Sequence, residues 1–66
     1  MRILVNGQWK DSGPEASVAS LLESLGLDAR RVAVELNKKI VPRAQYGLTK
    51  LGDQDQLEIV TLVGGG

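Results

Sequence analysis

The chain has 66 residues, with eight basic and eight acidic side chains and a formal net charge of zero. It contains neither cysteine nor histidine, which excludes disulfides, thiolate nucleophiles, the commonest zinc ligands and the usual neutral-pH acid–base group. The neutral balance argues against a strongly electrostatic partner, so neither nucleic acid nor a membrane surface is expected to bind.

A chain this short is one small domain that buries roughly 60% of the surface its unfolded form exposes, with no room for a deep catalytic cleft. No apolar run approaches the roughly 20 residues of a transmembrane helix, and the first residues lack a signal-peptide pattern, so the expected location is cytoplasmic. Phenylalanine is absent while leucine and valine are plentiful, so the core must be aliphatic.

Taken in order, Arg2 to Val5 reads as a strand with Ile3 and Val5 on one face and Leu4 on the other. Asn6-Gly7 suits the two positive-φ positions of a type I′ hairpin turn, which sends Gln8 to Lys10 back antiparallel. Trp9 on that returning strand is expected to cover the edge of the small core, since one large ring helps an aliphatic interior. Asp11-Ser12-Gly13-Pro14 ends the hairpin.

Ser17 is a good N-cap, and Val18, Leu21, Leu22 and Leu25 follow at the i, i+3, i+4, i+7 spacing of one apolar helical face. Gly26 stands where a left-handed residue stops a helix, with Leu27 placed to fold back on Leu22 in a Schellman motif. Asp28 to Arg31 is a polar link. Val32, Val34 and Leu36 then alternate with Ala33 and Glu35 as a third strand.

Asn37-Lys38-Lys39 reads as a tight reversal into a short strand at Ile40 and Val41 that Pro42 ends, because proline cannot donate to a ladder. Arg30, Arg31, Lys38, Lys39 and Arg43 form a candidate basic docking patch, with ordinary solvated charge as the commoner use of such residues. Ala44 to Leu51 has no sustained period, so a loop with one helical turn near Arg43 to Tyr46 is expected, with Tyr46 packed inward. After a turn at Gly52-Asp53-Gln54-Asp55, Gln56 to Val63 is the clearest strand. Leu57, Ile59 and Thr61 share one face, and Glu58, Val60 and Leu62 the other, which reads as a central strand.

The order hairpin, helix, two short strands, loop, final strand predicts an α+β, ubiquitin-like β-grasp fold: a mixed four- to five-stranded sheet with one helix across it. A right-handed crossover sets the last strand parallel to the first in the sheet's centre. The domain is expected to occupy 1–63, with a flexible glycine tail over 64–66. Glycine has no Cβ, so Gly64, Gly65 and Gly66 suit a chain end that enters a channel too narrow for side chains.

Asn37-Lys38-Lys39-Ile40-Val41-Pro42-Arg43, with Tyr46 three residues on, and Leu57-Glu58-Ile59-Val60 followed by Val63-Gly64-Gly65-Gly66 resemble the ThiS family, the sulfur carriers of thiamine biosynthesis. The resemblance spans the whole length. One departure is Asp53-Gln54-Asp55, where the family often has Asp-Gly-Asp. If the middle residue needs positive φ, glutamine costs about 1 kcal/mol there.

The resemblance implies a protein that is not itself an enzyme but a cosubstrate, carrying sulfur as a thiocarboxylate on the carboxyl of Gly66. Gly64 and Gly65 are the tail threaded into partner sites. No cofactor is expected on the chain. A ThiF-like adenylyltransferase would use ATP to activate the carboxyl, a cysteine-persulfide donor would supply sulfur, and a ThiG-like thiazole synthase would accept it. Three extended residues span roughly 10 Å, and fixing each costs on the order of 1–2 kcal/mol, so the folded body must supply the docking affinity. Leu62 and Val63 are the candidate docking residues. Two other readings use the same end: the small subunit of molybdopterin synthase, and a non-catalytic ubiquitin-like interaction or conjugation module.

Overall fold

In the computed structural model, which describes residues 1–62, alternating patterns become strands and the single 3.6-residue pattern becomes a helix. The strands are β1 (Arg2–Val5), β2 (Gln8–Asp11), β3 (Val32–Leu36), β4 (Lys39–Val41) and β5 (Gln56–Thr61), and the helix is α1 (Val18–Ser24). They form one five-stranded sheet in the order β2-β1-β5-β3-β4. β1 and β5 run parallel, while β1–β2, β3–β4 and β3–β5 are antiparallel. The expected β-grasp architecture is what forms, with β5 in the centre.

Both hairpins close through two left-handed residues. Asn6 and Gly7 have φ of 50° and 81°, the two left-handed positions that a type I′ turn requires. Asn37 and Lys38 repeat this at φ 51° and 71°, between the paired residues Leu36 and Lys39.

Helix α1 starts on a capping box in which the Ser17 hydroxyl accepts from the Ser20 backbone N–H and the Ser20 hydroxyl accepts from that of Ser17. It ends in the expected Schellman motif. Gly26 (φ 73°) donates to the Glu23 carbonyl at 3.0 Å and Leu27 to the Leu22 carbonyl at 2.9 Å. Val18, Leu21 and Leu22 are buried and Leu25 packs at the margin.

The core lies between α1 and one face of the sheet. It holds Ile3 and Val5 of β1, Val32 and Val34 of β3, Val41 of β4, and Leu57 and Ile59 of β5, closed from the loop by Tyr46 and Leu51. Tyr46 follows a short 3-10 turn at Arg43–Gln45, as expected, and its buried hydroxyl donates to the Val32 carbonyl at 3.1 Å. Among the described residues, no helix is long and apolar enough to cross a membrane.

Trp9 departs from expectation. It is 48% exposed and stands opposite Leu4, on the sheet face away from α1. The core is closed without it by Tyr46 and Leu51. The Arg2 guanidinium lies 4.9 Å from its ring centroid, so the ring serves a cation–π contact at the surface. The last strand is also shorter than the expected 56–63, ending at Thr61.

Candidate functional site

The strand leading to the glycines is gripped on both sides by asparagine amides. On the β3 side, the Asn37 backbone N–H donates to the Gln56 carbonyl at 2.7 Å and its side-chain oxygen accepts from the Gln56 N–H at 2.9 Å. The same amide donates to Asp55 Oδ1 at 3.0 Å, while Asp55 Oδ2 accepts from the Gly52 N–H at 2.7 Å. On the β1 side, the Asn6 side chain accepts from the Ile59 N–H at 2.7 Å and donates to the Ile59 carbonyl at 3.1 Å. Both asparagines sit at a left-handed turn position, which their short polar side chains tolerate.

The turn before β5 is tied to β1. Asp53 Oδ1 accepts from the Arg2 N–H at 2.9 Å, and the Gln54 N–H donates to the Arg2 carbonyl at 2.6 Å. Gln54 does adopt positive φ, 68°, so the departure from Asp-Gly-Asp carries the strain anticipated for it.

The sheet face away from α1 is open. Antiparallel register places Glu35 opposite both Glu58 and Ile40, and Ala33 opposite Val60. Ile40 is 68% exposed, Val60 58% and Leu62 55%. Glu35 and Glu58 are therefore like charges directly opposed, an arrangement that costs stability. Neither makes an ion pair among the described residues. Glu58, Val60 and Leu62, read on the second face of β5, are thus solvent-facing.

Of the residues expected to act, Leu62 is exposed just beyond β5, with its N–H donating to the Arg31 carbonyl at 2.7 Å. Val63, Gly64, Gly65 and Gly66 lie outside the described residues. The basic residues do not gather into one patch. Arg30 and Arg31 precede β3 and Lys38 follows it, and a five-residue strand sets its ends roughly 15 Å apart. Arg30 is moreover engaged by Asp28 through a 3.0 Å ion pair. The hydrogen bond from that guanidinium, helped by the Arg30 backbone N–H, lowers the Asp28 pKa from 3.8 to about 2.

Among the described residues, no group of His, Cys, Asp or Glu has a metal-binding arrangement. One surface depression is lined by Arg2, Trp9, Asp53 and Gln54. What sequence reasoning missed is the pair of asparagine grips. The visible signal was an asparagine after each of two strands that flank a third, but pairing order must be known before it means anything.

The chain matches the ThiS family profile over residues 3–66. It is 42% identical over 60 residues to the sulfur carrier protein ThiS of Bacillus subtilis, covering 89% of this chain and 86% of that one. It is also 42% identical over 66 residues to a thiazole synthase of Paramagnetospirillum magneticum, where all of this chain corresponds to only 20% of the longer protein. Its fold superposes on the crystal structure of the thiamine biosynthesis protein ThiS from Geobacter metallireducens with a TM-score of 0.84 and 33% identity, covering 100% of both chains.

Proposed function

The chain belongs to the ThiS family, and from that premise we propose that it is a sulfur carrier of thiamine biosynthesis whose reactive atom is the carboxyl carbon of Gly66. The observation that carries this reading is the course of β5. This central strand is paired to both neighbours, and in the sequence it is followed, after Leu62 and Val63, by Gly64-Gly65-Gly66, a run without side chains.

A carboxylate is a poor electrophile. An adenylyltransferase makes it reactive when a Gly66 carboxylate oxygen attacks the α-phosphate of ATP and pyrophosphate leaves. A persulfide sulfur then attacks the acyl carbon and AMP leaves, and a second thiol attacks the donor's own sulfur in the resulting acyl disulfide, forming a disulfide with the donor and releasing the thiocarboxylate. The chain's own part is to present the acyl group and to dock. ATP and the persulfide are assigned to partner enzymes. A thiazole synthase is the proposed acceptor, supported by the relative of that name in which a ThiS-like fifth is part of a longer chain. Leu62 and Val63 are proposed docking residues, Leu62 because an exposed leucine at the strand's end is desolvated when a partner closes on the tail.

Incubation with ATP, the cognate adenylyltransferase and a persulfide donor is expected to exchange one oxygen for sulfur, read as a single mass increment of the intact chain. A variant lacking Gly65 and Gly66 should stay unchanged. An unmodified wild-type chain would overturn the reading, and an isopeptide bond to a lysine would replace it with conjugation.

A further inference from the structure

The two sides of β5 are unequally occupied. Successive residues of a strand direct their backbone N–H and C=O to opposite sides. The even-numbered residues face β3, as the bonds from Asn37 to Gln56 and from Leu62 to Arg31 establish. The odd-numbered residues face β1. The Asn6 N–H donates to the Leu57 carbonyl at 2.9 Å, and the Asn6 side chain takes both backbone groups of Ile59. Thr61 is next on that side, and β1 has already ended.

The β1–β5 register stops at Val5 and Leu57. The chain then leaves through Asn6-Gly7 into β2, which lies on the far side of β1 from β5. Thr61 stands opposite Val32 of β3 as a non-hydrogen-bonded pair, and among the described residues none on the β1 side pairs with the backbone N–H or C=O of this exposed residue. Among the described residues, the lane beside it is open.

This lane is shaped for a peptide group. A primary amide has the donor and acceptor of a backbone unit, and the Asn6 amide already stands where a continued β1 would place one, bonded at 2.7 and 3.1 Å. We propose that the lane beside Thr61 is a strand-addition site for an extended backbone segment of the enzyme that receives the tail. The Thr61 N–H donates to a carbonyl of that segment and the Thr61 C=O accepts from one of its N–H groups. The other open edges, on β2 and β4, carry Lys10, Asp11 and Lys39, charges that discourage added strands, and neither leads to the glycines. The lane does. A segment bound there would align the enzyme with the chain immediately before Val63, so this proposal rests on the carrier reading and names how the tail is held.

Thr61→Pro tests it. Proline removes the N–H and fills its place with ring atoms, on a side of β5 where no bond to β3 is lost, and Val60 before it is already extended. Thr61→Val keeps the N–H and is the control. Binding of each variant to the cognate adenylyltransferase and thiazole synthase is measured by calorimetry beside thermal unfolding. Thr61→Pro is expected to bind at least one of them about tenfold more weakly at a wild-type melting temperature, with Thr61→Val unchanged. Equal binding by the folded proline variant to both enzymes overturns the proposal.

Hydrogen exchange on the wild-type complexes gives a second reading that no folding defect can obscure. The Thr61 amide should be slowed at least tenfold in a saturated complex, and exchange at its unbound rate in both complexes overturns the proposal. Protection that instead rises with the concentration of the isolated chain makes a second copy the occupant, which also overturns it. Failure of the wild-type chain to bind either enzyme removes the carrier reading, and the proposal with it.

Discussion

The side-chain amide of Asn6 takes both backbone groups of Ile59, accepting from its N–H at 2.7 Å and donating to its carbonyl at 3.1 Å. One side chain thus extends the parallel β1–β5 ladder past the point where β1 turns away. Without it, the N–H and C=O of a buried residue would face the open lane, and unmet polar groups near a core are costly.

Asn6→Gly separates this amide from the turn. Glycine keeps the positive φ and removes both bonds. The two bonds together are worth about 1–3 kcal/mol, part of it returned by relief of left-handed strain, so a net loss of about 1 kcal/mol is expected in denaturant unfolding. The more specific readout is the Ile59 amide, which should exchange faster with solvent while the β3-facing amides of β5 keep their protection.

That pairing shows why some of this molecule was legible in its sequence and some was not. Local chemistry was readable. Asn6-Gly7 fixed a type I′ turn, Ser17 and Gly26 bounded the helix, and the alternation in 32–36 fixed its strand. Features that depend on which strand lies next to which were not. The Asn6 and Asn37 grips exist only because β5 lies between β1 and β3, and Glu35 meets Glu58 only through register. Trp9 was misplaced for the same reason: the pleat puts it opposite Leu4, and composition alone does not say which sheet face the helix covers. The core-facing role of Tyr46 was readable, its bond to Val32 was not.

Two non-glycine residues sit at second turn positions where glycine is favoured, Lys38 at φ 71° and Gln54 at φ 68°. Left-handed strain of about 1–2 kcal/mol exceeds the about 0.4–1 kcal/mol that glycine's added unfolded-state entropy costs. Lys38→Gly and Gln54→Gly are each expected to stabilise by about 0.5–1 kcal/mol in thermal unfolding. Gln54→Gly keeps the N–H that bonds the Arg2 carbonyl. Gly26→Ala, at φ 73° with open space for the methyl group, should instead cost about 1 kcal/mol, because there only the backbone conformation decides.

Tyr46 ties the loop before β5 to the start of β3. It is 4% exposed and its hydroxyl donates to the Val32 carbonyl. Tyr46→Phe leaves that carbonyl unpaired in a closed environment, so a loss of about 1–2 kcal/mol is expected. In a domain of this size each 1 kcal/mol moves the melting temperature by about 4–8 °C, well within the resolution of calorimetry.

Glu35 and Glu58 face each other across β3 and β5 on the open face, where opposite charges would stabilise. Glu35→Lys should therefore raise stability by about 0.2–1 kcal/mol, with the gain shrinking as salt is added. The same substitution reverses the charge beside Ile40 and Val60. If that face meets the partner enzymes, their binding should weaken although the fold has become more stable. Stability and binding moving in opposite directions would separate a docking role from a structural one.

Asp28 gives the chain a local acid response. Its carboxyl accepts from the Arg30 guanidinium and from the Arg30 backbone N–H at 2.9 Å, which holds its pKa at about 2 against an ordinary 3.8. A carboxylate whose pKa is lowered by folding contributes stability that is fully present above its unfolded value and lost as the pH falls through its folded one. The Asp28 contribution is thus intact above about pH 4 and gone below about pH 2. Both partners are exposed, so the effect on global stability is small, and the measurement to make is the titration of the Asp28 carboxyl carbon by NMR. In wild type its midpoint should lie near 2. In Arg30→Gln, which removes the charge and most of the side-chain bonding but keeps the backbone N–H, the midpoint should rise toward 3.8 without reaching it. An unmoved midpoint would place the cause elsewhere than Arg30.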